Sequence, residues 1–177
     1  LGGCRAVVEN IEALRRLVSD YVSSDEGEDG GRCYIDPSDD YDYVLSPKPD
    51  GYRGIHFIIR YQTTSQRGIP YNGQRIEIQL RTKLQHAWAT ALETAQLFTG
   101  QALKPRKKVA ESEWLRFFAL ASGAFAIREK TAPVPGVPKD RGELISELQK
   151  VVEELRILEI FPGWNKSLQI TEEEKFK

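Results

Sequence analysis

Apolar positions along this chain follow two periods, and the switches between them mark its elements. Cys4-Arg-Ala-Val-Val8 reads as a short buried strand, after which Ile11, Leu14, Leu17, Val18 and Tyr21 recur at helical spacing. Asn10 stands just before that run, where its side-chain oxygen can accept from the free amides of a first turn, so it is the expected N-cap. Periodicity then vanishes. Ser23–Gly31 is acidic and Gly-rich, a composition that favours a solvated loop over a cation site, and Asp36–Asp42 continues the acidic character around Pro37-Ser38.

A period of two follows. Asp42-Tyr-Val-Leu45 predicts a brief strand; Pro47 and Pro49 exclude helix after it, and Asp50-Gly51 marks a tight turn. Between Gly54 and Gln62, His56, Ile58 and Arg60 alternate with Phe57, Ile59 and Tyr61. A second alternating run, Gln74 to Arg81, follows the turn signal Asn72-Gly73, which predicts an antiparallel hairpin with a long tip. In that second strand Ile76, Ile78 and Leu80 point one way and Arg75, Glu77, Gln79 and Arg81 the other. Thr82 is then expected to cap a helix over 83–98 with the stripe Leu84, Trp88, Ala91, Leu92, Ala95 and Phe98.

Beyond Gly100 the character changes. Lys104-Pro-Arg-Lys-Lys108 is a basic knot that reads most simply as a solvated linker, and a helix is expected over 109–130 with Trp114, Leu115, Phe118, Ala121 and Phe125. Pro133–Pro138 is a linker. Leu144, Leu148, Val151, Leu155 and Leu158 form a near-heptad stripe on a final helix, too short for a sustained coiled coil and so read as an intramolecular face, with a homo-oligomer contact as its other use. Glu172–Lys177 is expected to fray. The order is β-α-β-β-β and then three helices. That predicts an α+β fold, a mixed sheet flanked by helices, with a core over 1–100 and a helical extension over 101–177.

Composition narrows the function classes. The 25 Lys and Arg nearly balance the 26 Asp and Glu, which excludes a histone-like cationic binder. No apolar run approaches the ~18 residues of a membrane span. Cys4 and Cys33 are too few for a disulfide framework or a structural zinc site, so a reducing cytoplasm is expected. The chain opens at Leu1 inside a strand pattern and contains no methionine, which points to further residues upstream.

The candidate chemistry lies on the polar face of the second strand and in the proline-flanked turn. Glu77, with Arg75 and Gln79 on either side, suits magnesium-assisted phosphoryl transfer: it could hold Mg2+ or take the proton from an attacking hydroxyl, while Arg75 and Arg81 neutralise phosphates. Tyr52 offers a flat face to a nucleobase and Lys48 a point charge. The plainer reading of the same residues is ordinary cross-strand pairing, with His56 a structural hydrogen-bonder. There is no P-loop and no GxGxxG.

Asp42-Tyr-Val-x-x-Pro-Lys-Pro-Asp-Gly-Tyr-Arg-Gly-Ile-His56, then Ile76-Glu-Ile-Gln-Leu-Arg-Thr82 and His86, resembles the synthetase domain of the RelA/SpoT alarmone family over roughly residues 1–98. The resemblance implies a nucleotidyltransferase-like fold. It also implies a GTP diphosphokinase-type reaction, in which pyrophosphate moves from ATP to the ribose 3′-hydroxyl of GTP or GDP to make (p)ppGpp. Glu77 matches the family's catalytic glutamate and Mg2+ ligand, and Tyr52 the tyrosine that stacks on the acceptor guanine. Lys48, His56, Gln79 and Arg81 match residues around the acceptor nucleotide; Arg5 matches the arginine of the first strand, with Arg75 and His86 further phosphate-side candidates. Asp50 replaces the more usual asparagine or serine, and Thr90 and Glu93 look more like the small or toxin-type members.

Two alternatives stay open. A toxin-type member would pyrophosphorylate the 3′ end of tRNA, with an antitoxin as partner and Lys104, Arg106, Lys107 and Lys108 against RNA phosphates. A degenerate member would bind guanine nucleotide without catalysis. The resemblance also implies an aspartate immediately before Leu1 and a basic ATP-binding segment further upstream; this stretch by itself is therefore expected to lack the donor half of the site and to be inactive alone. The family's hydrolase module has no counterpart in these residues.

Overall fold

The computed structural model describes residues 2–23, 32–35, 41–99 and 112–164. Its strands are β1 (Gly2–Val8), β2 (Arg32–Ile35), β3 (Tyr41–Asp42), β4 (Ile55–Gln62) and β5 (Arg75–Thr82). The helices are α1 (Ile11–Ser23), α2 (Lys83–Thr99), α3 (Ser112–Glu129) and α4 (Arg141–Glu154), followed by a helical segment over 157–164. The strands form one mixed sheet in the order β1-β5-β4-β2, with β3 also pairing with β4; β1 runs parallel to β5 and the other pairs are antiparallel.

The alternation of the two long strands gives the sheet two unlike faces. Ile55, Phe57 and Ile59 of β4 and Ile78 and Leu80 of β5 are buried beneath α1, which contributes Leu14 together with Leu17, Val18 and Tyr21. The predicted cap holds α1 in place: Asn10 Oδ1 accepts the Ala13 amide at 2.9 Å. The hairpin register sets His56 beside Gln79 and Ile58 beside Glu77 on the opposite, polar face.

At the end of β5 the chain passes straight into α2. Thr82 Oγ1 accepts the Gln85 amide at 3.2 Å while Gln85 Oε1 accepts the Thr82 amide at 3.0 Å, a reciprocal cap that starts the helix beside the polar face. Trp88, Ala89 and Ala95 of α2 share a second apolar cluster with Trp114, Phe118 and Ile157, and Trp88 Nε1 donates to the Phe118 carbonyl at 2.8 Å. A third cluster, Leu120, Leu144 and Val151, joins α3 to α4. Among the described residues no helix is long and apolar enough to cross a membrane.

Four sequence expectations need correcting. The first strand is not buried: β1 lies at an edge, where Ala6 and Val8 reach the core but Cys4, Arg5 and Val7 are exposed. The strand expected over 42–45 ends at Asp42, because the Asp42 Oδ1 accepts the amides of Val44 at 2.9 Å and Leu45 at 3.0 Å and turns the chain out of the ladder. Between the two acidic runs lies a further strand, β2, paired with β4, whose four residues are too short a run to set a period. The leucine stripe stops at Leu155, since Arg156 adopts a φ of 51° and Leu158 is 79% exposed; the remainder faces α3 inside the chain. The acidic run over 24–31, Asp36–Asp40, Lys104–Lys108 and Glu172–Lys177 lie outside the described residues.

Candidate active site

The turn between β3 and β4 presents Tyr52 because its neighbours are tied down. Gly51 donates to the Lys48 carbonyl at 2.9 Å, and the Asp50 carboxylate accepts the Tyr52 amide at 2.9 Å, a bond that asparagine or serine could also make. Gly51 has a φ of 93°, and a Cβ there would stand 3.0 Å from the Phe118 carbonyl oxygen and from Ser122 Cβ. Only glycine combines that backbone with so close an approach to α3. Ser122 Oγ completes the seat by donating to the Gly51 carbonyl at 2.6 Å.

On the polar face five side chains close into a ring. Glu77 Oε1 lies 2.9 Å from His56 Nδ1, and Glu77 Oε2 accepts from Gln79 Nε2 at 3.1 Å. Arg81 Nη2 donates to Gln79 Oε1 and to the Tyr52 hydroxyl, each at 3.1 Å, and that hydroxyl is in turn hydrogen-bonded to His56 Nε2. Arginine only donates and an ionised carboxylate only accepts, so both arms of the ring run one way, from Arg81 to Glu77. The network therefore assigns neutral His56 its proton on Nδ1, with Tyr52 donating to Nε2.

Electrostatics agree with that assignment. Burial holds His56 below the ordinary imidazole value, against Glu77, which favours the charged ring; burial raises the Tyr52 phenol, against the opposing pull of Arg81. A histidine depressed in the folded state binds fewer protons than in the unfolded chain. Its contribution to stability is therefore complete above the unfolded value near 6.5 and is lost as pH falls below it. Melting temperatures measured between pH 8 and pH 5 should drop less steeply for His56→Gln than for the wild type; parallel curves would remove His56 from the account.

Aromatic rings surround this network. Tyr52 meets Tyr43 edge-on at 5.6 Å, His56 at 5.5 Å and Trp88 at 6.3 Å. Lys48 Nζ stands 4.2 Å from the centre of the Tyr43 ring and 5.2 Å from that of Tyr52. Arg81 is buried, and its Nε and Nη1 have no protein partner, which leaves the site with donors in excess. Glu77 and His56 remain partly open, with side chains 29% and 15% exposed.

The structure thus brings together Glu77, His56, Tyr52, Gln79, Arg81 and Lys48. Three other candidates are not members of the ring. Arg5 is exposed on β1 in register with Gln79; Arg75 is exposed at the start of β5, in register with Arg60; and His86 sits in the first turn of α2 with a buried, unpartnered Nδ1. Lys104, Arg106, Lys107 and Lys108 lie outside the described residues. Sequence reasoning missed Tyr43, which the Tyr-x-Tyr spacing of Tyr41 and Tyr43 could have flagged, and Arg53, Ser122 and Glu129, which no local pattern connects. For Mg2+, Glu77 has both oxygens engaged within the ring, and no group of three or more His, Cys, Asp or Glu among the described residues could hold an ion. These residues do not make a magnesium site by themselves.

Residues 2–98 match the family described as "Region found in RelA / SpoT proteins". Among solved structures, the chain is similar to small alarmone synthetase 2 from Bacillus subtilis, with 21% identity and a TM-score of 0.52 over 72% of this chain and 61% of that one. A GTP pyrophosphokinase family protein from Streptococcus pneumoniae aligns at 18% identity and a TM-score of 0.52, over 88% and 66%. Small alarmone synthetase 1 from Bacillus subtilis, bound to its product pppGpp, aligns at 20% and 0.50, over 72% and 57%. At such identities the likeness establishes the fold, and the chain spans roughly three-fifths of the length of these structures. A comparison with curated protein sequences found no match.

Proposed function

The chain belongs to the RelA/SpoT family, and on that premise we propose that its polar sheet face is the acceptor half of an ATP:nucleotide 3′-pyrophosphotransferase that makes (p)ppGpp from GTP or GDP. The observation that carries the reading is the closed ring, in which every hydrogen bond points toward Glu77 while the carboxylate stays partly open. Glu77 takes the proton of the 3′-hydroxyl as that oxygen attacks the β-phosphorus of ATP, and AMP leaves with the electron pair of the broken P–O bond. His56 and Gln79 hold the carboxylate in place, Tyr52 stacks the acceptor base, and Arg81 and Lys48 offset phosphate charge.

The test is an assay of the full-length protein with radiolabelled ATP and GDP, GTP or tRNA as acceptor. Transfer to GDP or GTP with matching AMP release is the expected result. Label appearing on tRNA alone would replace this reading with the toxin-type one, and GTP binding without transfer to any acceptor would replace it with a non-catalytic binding domain.

Tyr52 separates two contributions. Tyr52→Ala removes the stacking face and should weaken acceptor binding by about 1–3 kcal/mol, read as a raised acceptor KM with the ATP KM unchanged. Tyr52→Phe keeps the ring but loses the bonds to His56 and Arg81, so it should spare acceptor KM and act on kcat. Equal effects of the two variants on acceptor KM would contradict the assigned stacking.

A further inference from the structure

The ring depends on side chains from two separate segments, and a single carboxylate on a third holds the residues beside them. Glu129, the last residue of α3, lies outside the stretch that matches the family. Its Oε2 accepts from Arg53 Nη1 at 2.6 Å and from Gln85 Nε2 at 3.4 Å, and its Oε1 from the Thr82 hydroxyl. Arg53 follows Tyr52 in the chain, and Thr82 follows Arg81. Arg53 also donates through Nη1 to Thr131 Oγ1 and through Nε to Ser122 Oγ, each at 3.1 Å, and Ser122 grips the carbonyl of Gly51 on the other side of Tyr52. The side chains of Arg53 and Glu129 are 1% and 6% exposed. Burial lowers the arginine's pKa and the facing carboxylate opposes that shift. Neither charge is tolerable there without the other.

We propose that Arg53 and Glu129 are positioning residues for acceptor recognition: the pair sets the distance between Tyr52 and Arg81 and so closes the ring that presents Glu77. This rests on the pyrophosphotransferase reading of the site. It makes the C-terminal half of α3 a working part of that site, because the Gly51 carbonyl, the Arg53 side chain and the Thr82 hydroxyl all bond to its Ser122 or Glu129. Tyr52 and Arg81 meet through a hydrogen bond of 3.1 Å and through the guanidinium, 5.3 Å from the centre of the tyrosine ring, so a shift of either segment displaces the stacking ring from the charge beside it.

The decisive comparison sets Glu129→Gln against the double variant Arg53→Met/Glu129→Leu in the full-length protein. Glu129→Gln strands a buried guanidinium, and should both lower the melting temperature and raise acceptor KM by about 10–100-fold, with ATP KM unchanged. Apolar replacement of a buried ion pair tends to restore stability, so the double variant should recover the melting temperature while acceptor KM stays high. If acceptor KM returns to the wild-type value together with stability, the pair is structural only and the inference fails. Should the double variant not fold, Arg53→Lys keeps the charge but loses the fork to Ser122 and Thr131; a normal acceptor KM in that variant would overturn the proposal equally. GTP affinity measured by calorimetry on the same proteins keeps the two ideas apart: a wild type without transferase activity removes the reaction, whereas unchanged GTP affinity across these variants removes the positioning role.

Discussion

Glu77→Gln should lower turnover by about 10²–10⁴-fold while acceptor affinity stays within a few-fold of the wild type. The substitution preserves shape and removes the group proposed above as the general base. The ring makes the result sharper. In the wild type both carboxylate oxygens accept, one from His56 and one from Gln79. An amide at position 77 accepts at one atom and donates at the other. If its nitrogen faces Gln79, two donors meet; turning the Gln79 amide only moves the conflict to Arg81, which can do nothing but donate. If its nitrogen faces His56 instead, the imidazole must shift its proton to Nε2, and the Tyr52 hydroxyl loses its acceptor. Single-turnover kinetics with saturating ATP and acceptor, alongside calorimetric acceptor titration, separate the lost base from a disturbed binding face. Turnover within tenfold of the wild type would remove Glu77 as the base. A collapse in affinity equal to the loss in rate would make the ring a binding device first.

Much of the route to this site could be read from the chain. The eight-residue alternations of β4 and β5 are long enough to set the period, and a one-residue slip would have sent Glu77, Gln79 and Arg81 into the core. Asn10 and Thr82 were legible as caps because a capping side chain acts within three residues of itself. What stayed hidden is interaction at long separation. Arg53 and Glu129 are 76 positions apart, and each alone resembles any surface charge. The length of β3 was misjudged for a related reason. Residues 42–45 have the apolar content of a strand, yet the Asp42 side chain competes with the ladder for the amides of Val44 and Leu45, and composition does not reveal which acceptor wins. The direction of the hydrogen bonds in the ring needed coordinates, because it follows from Arg81, which can only donate, reaching both Gln79 and Tyr52.

Phe118→Ala should destabilise the protein by about 3–5 kcal/mol, the range for deleting a fully buried aromatic side chain, and lower its melting temperature by on the order of 10 °C. Phe118 is 1% exposed and sits where three parts of the molecule meet: its ring contacts Trp88 of α2 at 5.8 Å and Trp114 at 6.3 Å, and its carbonyl accepts from Trp88 Nε1. Directly over that carbonyl lies Gly51, at a distance that leaves no room for a Cβ. The cavity left by alanine therefore opens beneath the turn that carries Tyr52 as well as between the helices. Scanning calorimetry should report one transition that moves as a whole, because Trp88 and Phe118 belong to the same apolar cluster although they lie on opposite sides of residue 100. Two transitions, with only the smaller one shifted, would mean that the helices after residue 100 fold independently of the sheet. In that case the support that α3 gives to Gly51, Arg53 and Thr82 could not hold the site in register.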